Sequence, residues 1–187
     1  MGAFSYLSVL LSVILGLAIQ QVLQGCRALV LARARVRWHW PTLAWTAIIL
    51  GVVAQHWWSS FGLSGHAGWT FAAFGAILVQ TALIYMMAAL VLPDVPAGEA
   101  IDLRAHYVRE APAFFGVGAA AVAWSLVREG VLHGALPRGG NLAFHLVAFG
   151  LSVVAVFVRR AWFHHAFAGA MAVMFTAYVA VLFGRLA

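Results

Sequence analysis

Few residues of this 187-residue chain could do chemistry, and most fall inside apolar stretches. Ser5, Ser8, Ser12, Gly16, Gln20, Gln24 and Arg27 follow one another at steps of three or four. That spacing puts them on a single helical face. One reading is a wall facing a water-filled path, with glutamine amides replacing a solute's hydration. The other is a seam where Ser and Gly admit a neighbouring helix and Gln bonds across the contact. Gln80 and Thr81 sit at mid-depth of a later apolar run and are candidates to join that path.

Two histidines also lie within apolar runs, His56 and His145. At 1.5 Å rise per residue, both fall at a similar depth from the same end of their segments. Two imidazoles at one depth could ligate a haem b iron, bind a metal or respond to protons. They could equally be separate histidines with hydrogen-bond partners. Further histidines, His39, His106, His164 and His165, fall beside Asp94, Glu99 and Asp102 near span ends, where a metal site is conceivable. Cys26 is the only cysteine, so neither a disulfide within the chain nor a cysteine cluster is available.

Elements that position these residues follow from composition. The chain is 65% hydrophobic and 9% charged, where soluble domains carry about 25% charged residues. A fold that must present a polar surface has nowhere to put so much apolar side chain. The expected class is therefore all-α: one polytopic membrane domain over residues 1–187 with the lipid bilayer as its solvent. A span needs about 20 mostly apolar residues. Six are expected, Phe4 to Leu23, Pro41 to Leu63, Trp69 to Leu92, Pro112 to Leu132, Asn141 to Val158 and Ala166 to Leu186. A short amphipathic helix from Glu99 to Glu110 is expected in the membrane interface. Residues 1–93 and 94–187 form two halves of three spans each. Ala168, Ala172, Thr176, Ala180 and Gly184 recur every four residues and predict a ridge for helix packing, as does Gly16.

All eleven basic residues are arginine. Arg27, Arg33, Arg35, Arg37, Arg104, Arg109, Arg159 and Arg160 fall on one side of the expected spans. Arg128, Arg138 and Arg185 fall on the other. That bias predicts a bacterial-type inner (plasma) membrane, Arg-rich loops in the cytoplasm and both termini outside. It also predicts anionic lipid headgroups as partners, not nucleic acid. Trp38, Trp40, Trp69 and Trp162 fall at span ends, as interfacial aromatics do.

The absences argue against an enzyme. There is no phosphate-binding glycine loop, no H-E-x-x-H pair and no G-x-S-x-G elbow. No acid lies mid-span, where proton-coupled carriers place one. The expected function is a homo-oligomeric channel or passive transporter of an ion or small solute, lined by the polar face of the first helix. The alternatives are a haem-binding redox subunit through His56 and His145, or a non-catalytic accessory subunit of a membrane complex.

Overall fold

A computed structural model describes residues 3–66, 68–95 and 98–182. Its long helices are α1 (Ala3–Leu31), α2 (Trp40–Ser60), α3 (Phe71–Leu90), α4 (Leu103–His133), α5 (Gly140–Phe157) and α6 (Ala161–Leu182). All of α1 and α3 to α6 are long and apolar enough to cross a membrane. Their exteriors carry Val13, Phe71, Phe157 and Val173 in the open, as lipid-facing surfaces do and water-facing ones rarely do. This is the architecture of a helical membrane protein. Among the described residues the apolar spans number five where six were expected. The helix that falls short is α2, which has the length but ends in Gln55-His56-Trp57-Trp58-Ser59-Ser60.

Local signals set most boundaries. Thr70 caps α3 by accepting from the Ala73 amide at 3.1 Å. Pro41 occupies the first turn of α2, where its missing N–H costs nothing. Gly134, at φ 68°, closes α4 in the left-handed conformation that glycine adopts without strain. The expected interfacial helix is not a separate element. Asp102 caps a helix start through the Ala105 amide at 2.9 Å, and α4 runs unbroken from there through Pro112. The proline removes one backbone hydrogen bond and does not end the helix, as is common in membrane spans. The sixth helix likewise begins earlier than expected, so His164 and His165 lie in its first turns.

Five helices, α2 to α6, form a ring in which α3 packs on α4, α4 on α5, α5 on α6, and α6 on α2. The first helix sits outside this ring against α2 and α3. It buries Leu7, Leu11, Leu15, Ala18, Val22 and Leu29, one apolar stripe at steps of three or four and their multiples. Two connections at the Arg-rich end are tied by a pair of two-residue strands. In this parallel pair β1 (Val36–Arg37) sets Val36 beside Ile101 and Arg37 beside Asp102 of β2 (Ile101–Asp102). Arg35 reinforces the tie by donating to the Glu99 carbonyl at 2.7 Å.

An aromatic cluster fills the ring toward its Arg-rich end, with Trp45 in the second turn of α2 and Phe167 in the second turn of α6. The Trp45 ring meets Phe114, Phe115 and Phe167 at centroid distances of 5.4, 5.2 and 5.2 Å. Such edge-to-face contacts add to the area they bury. This septum divides the interior into two ends.

Candidate functional site

On the side of the septum nearest Gly134, the ring encloses a cavity of about 160 Å³. It opens into a vestibule of about 290 Å³. Gln55, His56, Ser59, Arg128, His145 and Tyr178 line both. The deeper chamber adds Gln80 and Ser125 among mainly apolar walls such as Ile49, Met87, Phe144 and Phe175. The vestibule adds Glu129, His133 and Asn141. The result is a polar mouth above an apolar chamber.

Hydrogen bonds fix the two imidazoles. The Thr81 hydroxyl donates to the Ile77 carbonyl at 2.9 Å, so its oxygen accepts from His56 Nε2–H at 3.0 Å. That leaves Nδ1 of His56 as the lone-pair nitrogen. His145 donates from Nδ1 to the Asn141 carbonyl at 2.7 Å, leaving Nε2 as its lone pair. His56 and His145 thus line one cavity with opposite tautomers. A bis-histidine haem using Nε2 of both rings would have to break the His56–Thr81 bond.

Among the described residues, three buried side-chain atoms on residues lining this cavity have no partner: Gln80 Oε1, Arg128 Nε and, at the aromatic cluster, Trp45 Nε1. Arg128 pairs through Nη2 with Glu129 at 2.9 Å, and Glu129 in turn holds His133 at 3.1 Å. The local charge is therefore balanced while one N–H donor stays uncommitted. A buried acceptor and a buried donor left unpaired in one cavity each cost free energy that a bound group would recover.

The expected path residues separate. Gln80 lies in the ring interior and is buried. Ser5, Ser12, Gly16, Gln20 and Gln24 lie exposed on the outer surface of α1, and Ser8 is half-buried. Ser8 and Ser12 line an outer cleft with Trp57 and Trp58. Among the described residues nothing outside its own helix backbone lies within 4 Å of a Cβ built on Gly16, which is exposed. In α6 the small-residue ridge is buried at Ala168, half-buried at Ala172, and exposed at Thr176 and Ala180. Gly184 and Arg185 lie outside the described residues. Sequence reading missed Asn141, Tyr178 and Ser125 as cavity residues. Their positions toward one end of their helices were the available signal.

At the Arg-rich end, His39, His164 and His165 gather around Tyr107. His164 donates from Nε2 to the Val158 carbonyl at 2.7 Å and accepts from the Tyr107 hydroxyl at 3.1 Å. His39 Nδ1 donates to Thr42 Oγ1 at 3.0 Å, because that hydroxyl's proton goes to the Leu103 carbonyl. Burial lowers the His39 pKa, and the nearby His165, Arg104 and His164 act in the same direction. Asp102 opposes them. His106 bonds instead to the Leu90 carbonyl. Among the described residues, no three His, Cys, Asp or Glu side chains converge to hold a metal ion.

The cap at Asp102 makes a pH prediction. Its carboxylate is held below its usual pKa, first by the Ala105 amide and also by Arg104's amide and Arg37. A depressed folded-state pKa contributes stability above the ordinary carboxylate range, and that contribution is lost as pH falls through the folded value. Thermal unfolding of Asp102→Ala should therefore fall below wild type at neutral pH, with the gap closing in acid. An unchanged gap at low pH would show that the carboxylate charge is not what acts.

No protein-family model, curated protein sequence or solved structure matches this chain. The fold and cavity therefore define a class only, a helical membrane protein with an internal polar-mouthed chamber.

Proposed function

We propose that this is a six-span membrane protein that passes a small uncharged, hydrogen-bonding solute passively through its helix ring. The observation that carries the reading is the unpartnered pair Gln80 Oε1 and Arg128 Nε in one interior cavity. An acceptor and a donor beside a balanced Arg–Glu pair favour a neutral solute over an ion. In this reading the path runs inside one chain, and the aromatic septum closes it toward the Arg-rich end.

The arginine bias supports a cytoplasmic Arg-rich end in a bacterial-type inner membrane, with both termini outside. The vestibule then opens outward. The exposed polar face of α1 takes a different role. Ser5, Ser12, Gln20 and Gln24 facing lipid would leave amides and hydroxyls poorly satisfied. A second copy of the chain covers them in a homo-oligomer, where paired Gln side chains each supply donor and acceptor. Because His56 and His145 share the cavity, haem b binding is the second reading.

Proteoliposomes challenged with glycerol or urea should swell faster than protein-free liposomes, and Gln20→Leu should leave that rate unchanged. Swelling no faster than in empty liposomes overturns the transport reading. A Soret band in the purified protein would assign the cavity to haem.

A further inference from the structure

A second pocket lies at the opposite end of the molecule, beyond the septum. It occupies about 60 Å³ between the start of α4, the end of α5 and the start of α6. That is room for on the order of four water-sized positions, the scale of one compact anion. Its walls include Arg104, Arg159, His39 and His165, and no acidic residue lines it. Among the described residues, the ion pairs join Arg37, Arg109, Arg128 and His133 to carboxylates, but neither Arg104 nor Arg159.

The histidines add capacity. His39 commits Nδ1 to Thr42, and His165 commits Nδ1 to the Ala161 carbonyl at 2.7 Å. Each keeps Nε2 uncommitted, and protonation turns that nitrogen into a donor. The two rings stand 5.5 Å apart, edge to face. Behind them, His164 and Tyr107 are locked by the bonds described above, so the back of the pocket is rigid. Three helices also start at this end. His39 caps α2, Arg104 is the second residue of α4, and Ala161 opens α6. Their positive dipole ends add to the two guanidiniums, while the C-terminal end of α5, which also borders the pocket, opposes them.

Arginines at a span end are often only solvated and drawn loosely to the membrane surface. This arrangement differs in being concave, rigid-backed and without a counter-charge of its own. We propose that the pocket of His39, Arg104, Arg159 and His165 is a phosphate-binding site, filled by a phospholipid headgroup or by free phosphate.

The pH dependence has a definite sign. The charged and titratable groups near His39 are His165, Arg104, His164, Tyr107 and Asp102, and of these Asp102 favours its protonation. Asp102 is already engaged by Arg37 at 3.3 Å. A bound phosphodiester supplies the missing negative charge. Its binding therefore tightens as pH falls and His39 takes up a proton, while its own charge stays fixed.

The test uses the full chain in two arms. In detergent, inorganic phosphate is titrated by calorimetry. In nanodiscs of phosphatidylcholine with or without phosphatidylglycerol, native mass spectrometry counts retained lipids. One saturable phosphate-bearing ligand per chain is expected, and the responding arm names its source. Arg104→Gln and Arg159→Gln should each weaken binding on the order of tenfold, as loss of a charge-assisted bond does. The control Arg27→Gln with Arg33→Gln removes twice the charge of either variant from the same end and should leave binding intact. No saturable binding in either arm, or an equal loss in the control, overturns the proposal. A flat pH profile in the phosphatidylglycerol arm overturns the part given to His39.

Discussion

Phe115→Ala will destabilise the protein by about 3–5 kcal/mol, the range for truncating a fully buried aromatic side chain. Phe115 is only 1% exposed and touches Trp45, Phe114, Phe167 and His164. Lipid cannot fill the space from outside, because the ring of helices closes around it. The lost contacts are therefore lost outright. The same substitution thins the septum. Proteoliposomes carrying folded Phe115→Ala should swell faster in glycerol than those carrying wild type. Chemical unfolding in detergent and the swelling assay separate the two effects. Lower stability with unchanged swelling would mean that the cluster is core alone and closes no path.

Gln80→Leu is expected to move stability and function in opposite directions. Gln80 is 6% exposed, and its side-chain oxygen has no partner. Replacing an unsatisfied buried amide with an apolar side chain of similar size should stabilise the empty protein by about 1 kcal/mol. The swelling rate should fall toward that of empty liposomes, since the solute loses its donor contact to that oxygen. Loss of both stability and flux would show instead that Gln80 serves packing.

Composition and hydropathy alone made the helical membrane class legible, because apolar runs near span length leave little choice of solvent. Boundaries were less legible. The run from Glu99 to Glu110 is polar enough to read as a surface element, yet Asp102 supplies a cap and α4 continues through Pro112. A lone proline in sequence reads as a start or a stop. Only the surrounding packing decides that it is neither. At the α2 end Gln55, His56, Ser59 and Ser60 line the vestibule, while Trp57 and Trp58 are exposed at the outer cleft.

Side-chain partnerships were not legible. Periodicity places Ser5 through Gln24 on one face of α1, but not which way that face turns. That depends on α1 packing outside the ring through its Leu7, Leu11 and Leu15 stripe. Equal depth raised a shared site for His56 and His145, and both line one cavity. The Thr81 hydroxyl that engages His56 depends on the rotation of α3. The strand pair tying Val36 to Ile101 joins segments too short to announce themselves by alternation.

The central claim is a cavity reached from one side of the membrane. Cys26 is the only native cysteine, so a Cys26→Ala background accepts a single reporter. Ser125 lines the deeper chamber, and Ser125→Cys should react with a membrane-impermeant thiol reagent added from the Gly134 side of oriented vesicles. Reagent added from the Arg-rich side should leave it unmodified, because the septum intervenes. Labelling from neither side, or from the Arg-rich side, would contradict the account.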